Sequence, residues 1–178
     1  MPKGSQKPKK NSTNDPPAIQ VLPYLYLGPR TAASAAFCTA QGITHVLSIG
    51  SSPIATLPSI TYERLSLVDD PSSSISEVSA KANTIILAVA KAGGKVLVHC
   101  SAAVSRSPTV VAAFLMQHRE MSLRQALATL ILARPAICPN TGFLTQLKEM
   151  EVGLRGVSTI ELESLPLKRE DRIAVLRD

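Results

Sequence analysis

Of the three cysteines in this 178-residue chain, Cys38, Cys100 and Cys138, only Cys100 has neighbours that could give its sulfur chemistry. It closes an apolar run (Val96, Leu97, Val98, His99). Five small residues, Ser101, Ala102, Ala103, Val104 and Ser105, separate it from Arg106. Ser107, Pro108 and Thr109 follow, and Pro108 suits the first turn of a helix, where a missing N–H is tolerated. A buried strand, a run of small side chains and a helix start together make an anion cradle. Small side chains let the backbone curl until successive N–H groups converge, and the helix N-terminus adds its partial positive charge. Arg106 supplies a fork able to hold two oxygens of a phosphate. The same features favour a thiolate over a thiol at Cys100. An ionised sulfur centred in an anion cradle is equipped to attack a phosphate ester.

The elements that must position this loop are legible as strands alternating with helices. Residues 19–22 and 24–28 read as two short strands around Pro23. Residues 31–41 are Ala-rich and end at Gly42, a helix with a C-terminal glycine. Residues 44–49 and 95–99 are short apolar runs that predict buried strands, and 60–68 alternates loosely as another. Residues 69–74 (DDPSSS) form a polar loop. Residues 76–92 are helical by composition and stop at Gly93-Gly94. Three helical stretches follow, near 107–119, 122–133 and 141–154, with Ser122 and Asn140 placed to cap the second and third. This order predicts an α/β fold: a central, twisted, mostly parallel sheet of about five strands with helices on both faces. In such sheets ligands bind where strand C-termini meet helix N-termini, and 96–110 has that layout.

Composition narrows the function classes. Hydrophobic residues make up 45% of the chain and charged residues 18%, enough apolar material for one core and too much for a mainly disordered protein. The most apolar stretch, 84–90, is far shorter than a spanning helix and is flanked by Lys81 and Lys91. The opening MPKGSQKPKK has no apolar run of the secretory kind, so a cytoplasmic or nuclear location is expected. The net charge is +6, but about half of the excess comes from Lys3, Lys7, Lys9 and Lys10. Lys9-Lys10 reads as solvated tail rather than as an import signal. Aromatics are 3% with no Trp, too few to stack bases, so neither nucleic acid nor membrane is expected as a partner. The odd, widely spaced cysteines do not make a disulfide framework, and Cys38 and Cys138 read as small core residues. His45, His99 and His118 without paired cysteines give no zinc pattern, so neither metal nor cofactor is expected. Three segments follow: a disordered basic tail over 1–17, a catalytic domain over 18–157, and an extension over 158–178 with a short helix near 169–177. A monomer is expected.

The Cys-x5-Arg loop, preceded by His99 and followed by Ser107, resembles the signature of the cysteine-dependent protein phosphatases. The SRSPT ending (105–109) resembles the dual-specificity branch, in its minimal, atypical form. The resemblance extends to residues 19–23 (IQVLP), 25–28 (LYLG), 42–47 (GITHVL) and 139–143 (PNTGF) with Gln146-Leu147, and so covers roughly 18–155. It implies metal-free hydrolysis of phosphotyrosine and phosphoserine/threonine on protein substrates. Cys100 would be the nucleophile, forming a phosphocysteine. Arg106 and the backbone N–H groups of Ser101, Ala102, Ala103, Val104, Ser105 and Arg106 would bind the phosphoryl oxygens. Ser107 would hydrogen-bond the sulfur, His99 would organise the loop from behind, and Asn140 would brace neighbouring loops. The leaving oxygen also needs an acid. The family carries an aspartate on a loop upstream of the cysteine. Matching Leu67 and Ile75 to its apolar positions puts Asp69, rather than Asp70, in that place. The plain alternative is that both are solvated turn residues, since Asp before Pro is a common turn pair.

One residue departs from the family pattern. Ala103 stands where these loops usually carry glycine. If φ is negative there, alanine costs little. If φ is positive, the loop is strained by about 1 kcal/mol and phosphate binding weakens. Competing readings are a phosphoinositide or other non-protein phosphatase, against which the loop lacks an inner lysine, and a pseudophosphatase that binds phosphoproteins, against which Cys100, Arg106 and Asp69 are all present. A rhodanese-like transferase would need no acid loop.

Overall fold

The structure, a computed structural model, describes residues 18–177. Residues 1–17, read above as a basic tail, lie outside the described residues. Strands β1 (Ile19–Leu22), β2 (Leu25–Pro29), β3 (His45–Ile49), β4 (Thr61–Leu65) and β5 (Val96–Cys100) form one sheet in the order β1-β2-β5-β3-β4. β1 and β2 are an antiparallel hairpin, and β2–β5, β5–β3 and β3–β4 are parallel. All five residues of β5 are buried. That is what a strand with parallel neighbours on both edges and cover on both faces requires, and it explains the unbroken VLVHC run.

The helices are α1 (Ala35–Gln41), α2 (Ser76–Lys91), α3 (Arg106–His118), α4 (Leu123–Ala133), α5 (Thr141–Arg155) and α6 (Arg169–Arg177). On one face α1 brings Cys38 against Tyr26, Val46 and Leu97. On the other, Leu47, Val98 and Cys100 join the larger core with Ile86, Phe114, Leu127 and Phe143. Side chains of β5 alternate between these two cores, as strand geometry dictates. Every residue of α3 from Ser107 to Met116 is buried. Each large apolar side chain buried in this way contributes about 1.5–3 kcal/mol. The helix whose N-terminus faces Cys100 is therefore the best-anchored helix of the molecule.

Two boundaries differ from the sequence reading by more than one residue. Residues 31–41 are not one helix. A 3₁₀ turn over Arg30–Ala32 ends before Ser34, which takes an extended conformation (φ −95°, ψ 151°) and accepts a 3.3 Å hydrogen bond from Phe37 N. A serine with that geometry starts a helix rather than continuing one. The strand read over 60–68 stops at Leu65, and the chain leaves the sheet there, with Leu67 buried and Val68 exposed. The expected caps form. Ser122 and Gln125 make a reciprocal capping box, and Asn140 Oδ1 accepts from Phe143 N at 2.9 Å. Beyond α5 the chain packs back on the domain with Ile160, Leu165 and Leu176 buried. The fully buried Glu151 carboxylate accepts from Leu123 N and Thr159 N, both at 2.7 Å, and so ties the start of α4 to this segment.

Candidate active site

β5 delivers Cys100, 2% exposed, to the foot of the loop, and Ser107 Oγ in the first turn of α3 donates to Cys100 Sγ at 3.1 Å. Behind the loop His99 is fully buried. Its Nε2 is 2.8 Å from Ser48 Oγ on β3 and its Nδ1 is 3.1 Å from Cys100 O. Burial pushes the His99 imidazole below the ordinary histidine range. The nearby Arg30 charge adds to this, and the contact with Cys100 O opposes it. His99 is thus a neutral strut whose ring hydrogen bonds run to Ser48 and to its own strand.

Each turn of the loop is pinned from outside. Ser101 O accepts from Arg30 N at 3.0 Å, Ala102 O from Arg134 Nη2 at 3.2 Å, and Val104 O from Cys138 N at 2.8 Å. A trans peptide carries its C=O and N–H on opposite sides. Holding these three carbonyls outward therefore turns the N–H groups of Ala102, Ala103 and Ser105 inward. The N-terminus of α3 lacks a side-chain cap, because Ser105 is engaged elsewhere, so its own N–H groups remain directed at the same space. Ala103 is fully buried with φ +53°. The strained branch of the sequence expectation is the one realised: alanine occupies a left-handed position where glycine would be relaxed.

Arg106 is held by backbone and loop rather than by a buried acid. Nη1 donates to Gly50 O at 2.7 Å and Nη2 to Ser101 Oγ at 3.0 Å. Nε is buried, donates no hydrogen bond among the described residues, and lies 3.7 Å from Asp69 Oδ2. Gly50 has φ +59°, and a Cβ there would stand 2.0 Å from Leu67 O and 2.7 Å from Arg106 Nη1. Glycine at this position lets the Arg106 fork and the acid-bearing loop approach the same turn.

The two aspartates have different environments. Asp69 Oδ1 accepts from Ser105 Oγ at 2.7 Å and from Asn140 Nδ2 at 2.9 Å, while Oδ2 faces Arg106. Asn140 N in turn donates to Ser105 Oγ at 3.1 Å, so Ser105 and Asn140 together fasten the aspartate loop to the Cys100–Arg106 loop. Asp70 closes its own turn. Its Oδ1 accepts from Ser72 N at 2.8 Å and Ser72 Oγ at 2.6 Å, and these bonds hold its carboxyl below the ordinary aspartate range. The far side of the loop is clamped by Gln146, which donates to Ser73 O at 2.8 Å and accepts from Ile75 N at 2.9 Å. Gly142 lies flat against it, where a Cβ would meet Pro71 O at 1.9 Å. Gly50, Arg64, Leu67, Val68, Asp69 and Arg106 line a cleft of about 520 Å³ in front of the site.

The sequence-predicted residues Cys100, Arg106, Asp69, Ser107 and Asn140 are brought together here, His99 stands behind them, and Asp70 stands apart. Sequence reasoning missed Ser48, Gly50, Arg134 and the clamping role of Gln146. Gln146 sat in a segment already matched to the family. Ser48 lies near the C-terminal end of β3 and Gly50 directly follows it, the place where a strand C-terminus reaches the ligand end of a parallel sheet.

Residues 25–152 match the family model described as the dual specificity phosphatase, catalytic domain. Among curated proteins, Dual specificity phosphatase 28 of Homo sapiens is 34% identical over 150 residues, covering 83% of this chain and 85% of the relative. Dual specificity protein phosphatase 22-B of Danio rerio is 36% identical over 135 residues, covering 75% of this chain and 74% of the relative. Against the mouse Dual specificity protein phosphatase 19 the chain spans 61% of the relative's length. The crystal structure of human DUSP28 superposes with a TM-score of 0.74 at 33% identity, covering 82% of this chain and 99% of that one. The human tyrosine phosphatase-like serine/threonine/tyrosine-interacting protein gives 0.71 at 32%, covering 77% and 97%. The chain belongs to the dual specificity phosphatase family and carries its catalytic domain, a protein tyrosine/serine/threonine phosphatase whose cysteine-centred loop is built around Cys100.

Proposed function

We propose that residues 18–157 are the catalytic unit and that hydrolysis runs through a phosphocysteine on Cys100. The sulfur lone pair forms the S–P bond as the bond from phosphorus to the tyrosine, serine or threonine oxygen breaks. That oxygen takes a proton from Asp69. Two hydrogen bonds already fill Oδ1 of Asp69, so Oδ2 is the oxygen left to carry the proton. In the second step water attacks phosphorus, Asp69 takes the water's proton, and the S–P bond breaks to return the thiolate. The Ser107 hydroxyl stabilises that departing sulfur. The Nε–Nη2 edge of Arg106 and the inward N–H groups hold the equatorial oxygens, where charge is spread in the transition state.

The observation that carries this reading is the meeting of three groups at one point: a sulfur at a helix N-terminus, an arginine whose buried Nε donates no hydrogen bond among the described residues, and a carboxylate 3.7 Å from that nitrogen. The test is rapid-quench mass spectrometry during turnover of an aryl phosphate and a phosphotyrosyl peptide. The reading expects a phosphoryl adduct on Cys100 and no turnover by Cys100→Ser. Full activity of Cys100→Ser overturns it.

A further inference from the structure

The phosphate loop is held by the α4–α5 connection, and that connection is held by the C-terminal helix. Arg172 on α6 is only 4% exposed and pairs with no carboxylate among the described residues. Its guanidinium is spent on backbone carbonyls instead. Nη1 donates to Pro166 O at 2.6 Å and Leu167 O at 2.8 Å, and Nη2 donates to Pro135 O at 2.9 Å. The first two contacts close the segment just before α6. The third reaches 37 residues back, to the stretch between Arg134 and Cys138. This is the stretch that holds Ala102 O through Arg134 Nη2 and Val104 O through Cys138 N. Between those two carbonyls lies Ala103 at φ +53°.

A non-glycine residue in the left-handed region persists only where its surroundings over-determine it. Here the determining contacts are the two outward carbonyl bonds, and both originate on a short connection without regular structure. A proline at 135 offers a carbonyl and no N–H, so it takes part in fixing the connection only as an acceptor. Arg172 meets that acceptor with a charged donor, the stronger kind of hydrogen bond.

We propose that Arg172 is a positioning residue for the phosphatase reaction. By holding Pro135 O it fixes the α4–α5 connection, and through Arg134 and Cys138 it keeps the Ala103 turn in its strained, phosphate-accepting form. The segment after α5 is thereby part of the catalytic machinery's support rather than an appendage. The inference rests on reading residues 101–106 as the phosphate-binding loop.

The experiment is a double-mutant cycle on the full chain between position 172 and Ala103→Gly, read by orthovanadate affinity and by kcat/KM on an aryl phosphate. Arg172→Ala removes all three carbonyl bonds and also costs stability. Arg172→Lys, which keeps the charge and the buried stem but not the fork, is therefore measured beside it. Val89→Ala, a core truncation on α2, serves as the control for stability loss alone. With alanine at 103, either Arg172 substitution is expected to weaken vanadate about three- to tenfold and to lower kcat/KM in parallel. In the Ala103→Gly background the same substitution is expected to cost less than about twofold, because glycine takes the turn without a brace. Amide hydrogen exchange at Cys138, whose N–H holds Val104 O, is expected to accelerate in the Arg172 variants and not in Val89→Ala. Equal losses in both backgrounds, or unchanged vanadate affinity with a lowered melting temperature, overturn the proposal. Failure of the wild-type protein to bind vanadate at all overturns the phosphate-loop reading itself, a result distinguishable from the other two.

Discussion

Replacing Ala103 by glycine probes the one residue at which this loop conflicts with its own backbone. An alanine at φ +53° carries the left-handed penalty, about 1–2 kcal/mol, and glycine removes it. Two effects oppose the gain. The fully buried methyl is lost, about 0.8 kcal/mol. The unfolded chain also gains freedom, about 0.4–1 kcal/mol. The net lies between a loss and a gain of about 0.8 kcal/mol, so denaturant unfolding should change little. For a chain of this length the melting temperature should move by no more than about 3 °C. Strain of about 1–2 kcal/mol acting in full on phosphate binding would convert to roughly five- to thirtyfold in rate, and the outward carbonyl bonds leave only part of it to act. Hydrolysis of an aryl phosphate should therefore change by less than about tenfold in kcat/KM, and vanadate affinity by a similar factor. The three outward carbonyl bonds explain why the effect stays small: they already hold the loop in shape. A gain well above tenfold would refute the reasoning, because it would mean that the brace fails to form the loop and that the natural loop is largely collapsed.

Three further outcomes follow from the same geometry. Gly50→Ala places a Cβ 2.0 Å from Leu67 O and 2.7 Å from Arg106 Nη1, so kcat/KM should fall at least about tenfold by loss of the Arg106 position, measured on an aryl phosphate. Gly142→Ala pushes against Pro71 O on the aspartate loop. Its loss of kcat should be larger for a poor leaving group such as phenyl phosphate than for a nitrophenyl one, and equal losses would argue against a role of that loop in proton transfer. His99, held neutral by burial, has a folded pKa below its unfolded value of about 6.5. The unfolded chain therefore takes up the proton first as pH falls. The stability due to neutral His99 is complete above about pH 6.5 and is lost as pH falls through the folded value. Urea unfolding at pH 7.5 and 5.5 should show this loss, and His99→Asn should show less of it.

How much of the site could be read from sequence depended on whether its residues are contiguous in the chain. Cys100, the loop, Arg106 and Ser107 lie in one strand–loop–helix unit, and local rules suffice to place them. Asp69 needed a resemblance, because nothing local distinguishes it from Asp70. The difference is tertiary: the Asp69 carboxylate meets Ser105 and Asn140, whereas the Asp70 carboxylate turns back on Ser72 of its own loop. Ser48, Gly50, Arg134 and Arg172 act through backbone atoms or hydroxyls far away in sequence, and such contacts leave no periodicity or spacing to detect. The same holds for the fold. Apolar runs located β3 and β5, whereas the break at Ser34 was decided by a side-chain cap, and β4 ends at Leu65 although the loosely alternating pattern runs on to residue 68.

The division of labour between Cys100, Arg106 and Asp69 is tested most directly by the pH–rate profile of kcat/KM for an aryl phosphate in the wild type, Asp69→Asn and Asp70→Asn. Asp69→Asn is expected to lose about 10²–10⁴-fold and the decline at high pH to disappear with it, while Asp70→Asn stays within about threefold of wild type and keeps that decline. A profile in which Asp70→Asn abolishes the basic limb and Asp69→Asn retains it would contradict the account.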